Sequence, residues 1–286
     1  MTEYEKRGYL LENFRLFHLQ SQSGTRVEYH YHEFCKLLLL ISGRGGYVVD
    51  GQRYLLQPGD VLLIGSRNAH RPELEEDSTY ERIIVYIDPA FLQRFATADC
   101  DLLELFSARH GHVLRLREKE RKKIFTLAGE LEKELSGTDY GREILCSSAL
   151  LRLLVEIGRS CRQEGALTLS PVTPGDPRVV EWMQYLDRHL SEDLDMDALA
   201  ERFFISKFHM MRLFKAQTGF TIHTYLLQRR LLAARQLIER GMLATEACYR
   251  CGFRCYSSFT RAYNKHFGTT PTGRAGLAKA QTEGME

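Results

Sequence analysis

Between residues 164 and 178 the chain reads EGALTLSPVTPGDPR, with three prolines, two glycines and small polar side chains. Proline has no amide hydrogen to give to a ladder or a helix interior, and it biases the residue before it away from helix. A stretch of this composition reads as a linker. It divides the 286 residues into two parts, as the length alone also suggests. The boundaries expected from it are a first domain over 1–165, a linker over 166–177 and a second domain over 178–277. The hydrophobic pattern changes period across the linker, from strand-like to helical.

Ahead of it, residues 14–87 read as short strands. KLLLLI and VLLIG have the length and composition of buried strands, and YERIIVYI of a further one. RVEYHYH alternates. GYVVDGQRYLL joins two β-rich runs at Asp50-Gly51, a strong two-residue hairpin signal. QPGD marks a turn. Strands of this length and spacing predict a small β-barrel or jelly roll. From Pro89 the period becomes helical, starting with PAFLQRFA. Ile124, Leu127, Ala128, Leu131 and Leu135 share one face of a helix over 117–135. Leu150, Leu151, Leu154 and Ile157 form a wide stripe on a second helix over 142–161. Two such helices can cover the barrel or form a dimer seam, and the sequence leaves both open. No apolar run approaches the roughly 18 residues of a membrane helix, and MTEYEKRGYL is not an apolar signal segment. A cytoplasmic protein with reduced cysteines and no membrane partner is expected.

Behind the linker the chain reads all-helical, and its charge is unusual. From Arg202 to Arg274 there are thirteen Lys and Arg against two Asp and Glu, a net +11. The whole chain carries only +2, so the remainder carries −9. A compact basic segment on an acidic protein is the footprint of a polyanion binder. The same segment repeats itself. Aligning Phe214 with Tyr263 puts Gly219 on Gly268, Arg212 on Arg261 and Phe204 on Phe253. Each copy reads as a short helix, a turn and a second helix ended by glycine, that is, helix-turn-helix units at about 197–219 and 244–268. Met210, Leu213 and Phe214 form the core face of the first recognition helix, and Phe259, Ala262 and Tyr263 that of the second. Phe208, Met211, Arg212 and Lys215 lie on the opposite face of the first. Ser257, Thr260, Arg261 and Asn264 lie on the opposite face of the second. Arginine can give two hydrogen bonds to guanine, and Ser, Thr and Asn can read other base edges. Lys207, Arg229, Arg230 and Lys265 are expected on phosphates. The long helix between the units is a spacer that would set two recognition helices about one turn of DNA apart, roughly 34 Å.

The stretches LAERFFISKFHMMRLFKAQTGFT, YLLQRRLLAARQLI and ACYRCGFRCYSSFTRAYNKHFGTTP make residues 178–275 resemble the DNA-binding domain of AraC/XylS-type transcriptional regulators. The resemblance implies double-stranded DNA as partner and control of transcription, most often activation, in which case RNA polymerase is a second partner. Carried over by position, the recognition residues are Phe208, Met211 and Arg212, then Tyr256, Ser257, Thr260 and Arg261. The chain departs from the family after TTP, where TGRAGL replaces the usual aromatic, so the last helix is expected to be short. HYHEFCKLLLLISGRGGYVVDGQRYLLQPGDVLLIGSRNAH resembles the cupin-like sensor half of the same family. That resemblance implies a small-molecule effector in the barrel and a homodimer. The expected fold is thus a cupin-like β-barrel with a helical hairpin, followed by an all-α domain with two helix-turn-helix units.

His30, His32 and His70 converge at the barrel mouth in this reading, and three histidines can hold a divalent ion. Metal-binding cupins carry a glutamate four residues after the second histidine, where this chain has Lys36. An ammonium there repels a cation, so no metal and no cofactor is expected. His30, His32, Lys36 and His70 are instead assigned to a small polar effector, for which a sugar is compatible. A metal-dependent cupin enzyme with a nucleic-acid-binding appendix is the alternative. No P-loop, G-x-S-x-G or nucleophile–base pair supports it, and no enzyme is expected. A second alternative is a thiol-based redox-sensing regulator, because Cys248, Cys251 and Cys255 are spaced C-x2-C-x3-C. Helical spacing instead places Cys248 and Cys251 in the core and Cys255 near an N-cap.

Overall fold

The computed structural model describes residues 10, 12–22, 27, 29–66, 68–74, 79–107, 112–162 and 165–272. They form two compact units, Met1–Gly175 and Asp176–Glu286.

The first unit begins with strands β1 (Phe14–Gln22), β2 (Cys35–Ser42), β3 (Gly45–Val49), β4 (Gln52–Leu56), β5 (Asp60–Ile64), β6 (His70–Leu74) and β7 (Thr79–Ile87). A short helix α1 (Pro89–Gln93), a 3-10 turn (Leu102–Phe106) and β8 (Val113–Leu116) follow. The helices α2 (Glu118–Ser136) and α3 (Arg142–Arg162) and a last strand β9 (Ala166–Thr168) complete it. One antiparallel sheet has the order β1-β7-β2-β5-β8-β9, and a smaller one β4-β3-β6. The run 37–41 lacks a polar alternation because both faces of β2 are covered. Cys35, Leu37 and Leu39 point to one side with Ile83, Val85 and Ile87 of β7. On that side α2 packs Ile124, Leu127, Ala128 and Leu131, and α3 packs Leu150, Leu153, Leu154 and Ile157. The helix pair therefore covers the sheet. Leu38 and Leu40 point the other way, between the sheets, with Tyr47, Val49, Tyr54, Ile84 and Tyr86. Side chains alternate along a strand, so Lys36 falls on this inner side too. The β3–β4 hairpin turns at Asp50 (φ 47°) and Gly51 (φ 79°), the paired left-handed residues of a type I′ turn.

Two expectations change here. The described residues of RVEYHYH form no strand: only His30 makes a bridge, to His70. Nor is 166–177 a free linker. Ala166–Thr168 pairs with β8 as β9, and the Val172 amide donates to the Arg53 carbonyl at 2.8 Å. The Arg53 amide donates back to Thr173 at 3.0 Å. Backbone hydrogen bonds to an existing sheet can recruit a Pro-rich segment, since each proline costs the ladder only its own donor.

The second unit is helical: α4 (Pro177–Arg188), α5 (Met196–Arg202), α6 (Lys207–Thr218), α7 (Ile222–Glu239), α8 (Ala244–Arg250) and α9 (Tyr256–Phe267). Asp176, Asp195, Ser206 and Thr221 cap α4, α5, α6 and α7 through their side chains. Trp182, Leu186, Met210, Phe214, Ile222 and Tyr225 share the core of the first half. The recognition helices α6 and α9 stop at Gly219 and Gly268, as the sequence suggests.

Candidate nucleic-acid interface and effector pocket

The two helix-turn-helix units are superposable in their hydrogen bonding. In the first, the Phe204 amide donates to Glu201 and the Ile205 amide to Ala200, both at 3.0 Å. In the second, the Gly252 amide donates to Tyr249 at 3.0 Å and the Phe253 amide to Cys248 at 3.1 Å. Both are Schellman closures, in which one residue past the C-cap is left-handed. That residue is Phe204 (φ 52°) in one unit and Gly252 (φ 83°) in the other. Phe204 thus corresponds to Gly252, and Ile205 to Phe253. The alignment that set Phe204 on Phe253 is one residue out through the turn, because the second turn is one residue longer. Ile205 packs on its core and Phe253 lies 4.9 Å from the Phe259 ring, while Phe204 stands 97% exposed.

The two helix faces expected to read bases are open to solvent. On α6, Phe208 is 85% exposed, and Met211, Arg212 and Lys215 are exposed, while Met210 and Phe214 are buried. On α9, Ser257, Arg261, Asn264 and Lys265 are exposed, Tyr256 and Thr260 half-buried, and Phe259 and Tyr263 buried. Lys207 is paired with Asp197 at 2.8 Å.

Arg229, expected on a phosphate, is instead buried. It is only 4% exposed, and its Nε donates to Asp187 at 2.6 Å, so it fastens α7 to α4. Arg230 donates to the Leu190 and Glu192 carbonyls, each at 2.7 Å, in the turn that follows α4. Burial lowers its pKa below the usual guanidinium range. Both side chains brace the helical scaffold; Arg229 is too buried to meet a phosphate, while Arg230 stays half-exposed. Asp187, which the sequence reading missed, is the counterpart of Arg229. Its signal is faint, one acid on the polar edge of an amphipathic helix.

Of the three clustered thiols, Cys248 and Cys251 are buried, as expected, and burial pushes Cys251 up to about 11. Cys255 is exposed at the N-cap of α9, and a contact to the Ser257 hydroxyl, 3.0 Å away, leads the causes that lower it to about 7.

In the first unit, His30, His32, Lys36 and His70 do come together between the sheets. His30 and His70 exchange backbone hydrogen bonds at 3.1 and 2.8 Å. The Asp50 carboxylate of the hairpin turn accepts from the Asn68 side chain and the Ala69 amide, fixing the entry to β6. His70 Nδ1 then lies 2.8 Å from the Asn68 carbonyl, and His32 Nδ1 lies 3.0 Å from that of Phe34. A carbonyl only accepts, so each Nδ1 carries the proton and each Nε2 presents a lone pair. These two Nε2 atoms are buried and find no hydrogen-bond partner among the described residues. Burial, then the charge of Lys36, hold both histidines well below the usual pKa, in the neutral form. Lys36 is 3% exposed and its Nζ donates to the Tyr47 hydroxyl at 3.1 Å. It lies 5.8 Å from the Tyr47 and Tyr86 ring centroids, two cation–π contacts. The His32 ring stacks on Phe34 at 3.9 Å. Tyr47 and Tyr86, which flank Lys36, were missed by the sequence reading, although strand alternation puts both on the inner face.

Residues 16–154 match a family model described as the AraC-like ligand binding domain, and residues 199–273 one described as a helix-turn-helix domain. The chain is an AraC/XylS-type regulator. It is 28% identical over 247 residues, 85% of each chain, to the HTH-type transcriptional activator RhaS of Salmonella agona and to that of Salmonella typhimurium. The solved structure of fatty acid-bound ToxT from Vibrio cholerae aligns at TM-score 0.40 and 10% identity, over 92% of this chain and 96% of that one. The two halves of this AraC-type chain are therefore a ligand-binding domain and a DNA-binding domain. Its relatives regulate transcription, and the enzyme alternative falls with that finding. The departure from the family after TTP lies mostly outside the described residues. Among the described residues no helix is long and apolar enough to cross a membrane.

Proposed function

We propose that the protein is a cytoplasmic transcriptional activator that binds DNA as a homodimer and responds to a small polyhydroxylated effector, such as a sugar, in the barrel. The observation that carries the effector reading is the pair of unpartnered Nε2 acceptors of His32 and His70 beside the Lys36 ammonium. A ligand hydroxyl can donate to an imidazole nitrogen and accept from an ammonium, so a polyol suits this mixed lining. On the DNA side, Phe208, Met211, Arg212 and Lys215 read one major-groove segment, and Tyr256, Ser257, Thr260, Arg261 and Asn264 the next. Lys207 and Lys265 lie against phosphates. Tyr140, Ile144 and Leu145, exposed at the start of α3, offer an apolar face for a second copy. RNA polymerase is then the partner of the DNA-bound dimer. The similarity to RhaS, named an activator, supports the sign of regulation.

Selection of bound sequences from a random DNA pool, followed by footprinting with and without a panel of sugars and sugar acids, tests this. Protection well beyond one helical turn per monomer, with an affinity or spacing change on adding one effector, is the expected result. The effector response should vanish in Lys36→Ala while basal DNA binding stays. Binding that no polar metabolite alters would remove the sensor role. An effect is possible only through different affinities for two states of the protein.

A further inference from the structure

The effector reading leaves one geometric fact unexplained. One ring nitrogen from each of His30, His32 and His70 lies within 4.8 Å of the other two. A ligand hydroxyl carries one hydrogen and can satisfy one of these nitrogens. The Nε2 lone pairs of His32 and His70 repel one another where they approach, and a cation held between the rings relieves that repulsion. We propose that His30, His32 and His70 bind a single first-row divalent metal ion, with open coordination positions facing the barrel interior.

The dimensions fit. Three atoms no more than 4.8 Å apart all lie within about 2.8 Å of a common point, and closing to the roughly 2.0–2.1 Å of a metal–imidazole bond takes under ~1 Å per ligand. The ligands are held in advance. His30 and His70 are tied backbone to backbone, and the Nδ1 atoms of His32 and His70 are fixed by carbonyls. Such outer hydrogen bonds set the tautomer that leaves Nε2 free to coordinate. An all-imidazole set suits zinc, iron, cobalt, nickel or copper rather than magnesium or calcium.

Lys36 is the feature that argued against a metal from sequence. Its ammonium is held by the Tyr47 hydroxyl and two aromatic faces, so its charge is partly met elsewhere. It still weakens cation binding, and it gives the open positions a preference for an anionic oxygen ligand such as a carboxylate. The ion would take the Nε2 atoms assigned above to effector hydroxyls, and an effector would then bind the ion and Lys36 instead; metal binding itself needs no effector and no DNA.

The test uses the purified full-length protein, stripped with chelator and reloaded with Co2+ alone. One Co2+ per chain is expected, with visible d–d absorption and an X-ray absorption spectrum fitted by imidazole ligands. His30→Ala, at a half-buried position, should weaken binding at least 100-fold while unfolding at the wild-type temperature. Lys36→Glu should tighten it at least tenfold, by removing a like charge and adding a carboxylate. Absence of stoichiometric Co2+ in the wild type overturns the proposal. So does unchanged binding in folded His30→Ala and His70→Gln variants, or a spectrum with fewer than two imidazoles. Should the histidine variants fail to fold, the wild-type spectrum decides. A metal found without any sugar response, or the reverse, separates this inference from the polyol reading.

Discussion

In the first helix-turn-helix unit the left-handed turn residue is Phe204, and Ser206 caps the recognition helix with its hydroxyl. In the second, Gly252 takes the turn and α9 starts on Cys255 with no side-chain cap. The left-handed helix closure is thus strained, with a capped helix after it, in one copy, and relaxed, with an uncapped helix after it, in the other. The reason lies in the surroundings. A Cβ on Gly252 would sit 2.6 Å from the Leu190 carbonyl at the end of α4. The Phe204 side chain is in open solvent. A positive φ alone does not require glycine; a positive φ against a neighbouring backbone does.

The largest effect follows from that contrast. Gly252→Val should lower the stability of the DNA-binding domain by about 3 kcal/mol or more, through strain and a backbone clash together. Chemical denaturation of the variant measures it, and wild-type stability would show that the α4 contact yields. Next comes recognition. Arg212→Ala and Arg261→Ala should each cost about 1–3 kcal/mol of specific binding and relax base preference in different segments of the operator. Loss of preference at the same bases in both variants would break the two-reader picture. Ser206→Ala should cost about 1 kcal/mol, and Cys255→Ser should gain several tenths, since serine is a favoured N-cap and cysteine is not. Phe204→Gly should stabilise by about 0.5–1 kcal/mol, the left-handed penalty less the entropy of glycine. The smallest effect is chemical. Cys255 should alkylate ahead of the buried thiols, at a rate that rises with pH through about 7 as thiolate forms and then levels off.

Much of this architecture is legible in the residues. The Asp50-Gly51 turn, the buried run 37–41 and the Gly219 and Gly268 stops are local signals, each decided by a few neighbours. What was illegible depends on distant partners. Arg229 looks like any helix-surface arginine until Asp187, 42 residues earlier, is brought against it. The one-residue offset between the two turns is invisible to an alignment anchored on aromatics, because Phe204 and Phe253 are both phenylalanine. Strand β9 forms in a stretch of loop composition because β8 offers it an unpaired edge. At the pocket the histidines could be counted from sequence, but their tautomers are set by the carbonyls of Phe34 and Asn68, which no spacing rule supplies.

The pairing of Arg53 with Val172 and Thr173 changes the arithmetic of the tether. Only Pro174 and Gly175 separate Thr173 from Asp176, whose amide is already held by the Gln217 side chain at 3.0 Å. The three residue steps from Thr173 to Asp176 reach at most about 10–11 Å, whereas a free twelve-residue coil would wander over roughly 19 Å. In the proposed homodimer so short a leash would make binding at a second half-site fall off steeply with every added base pair. Stretching further means peeling two residues off the edge of β4.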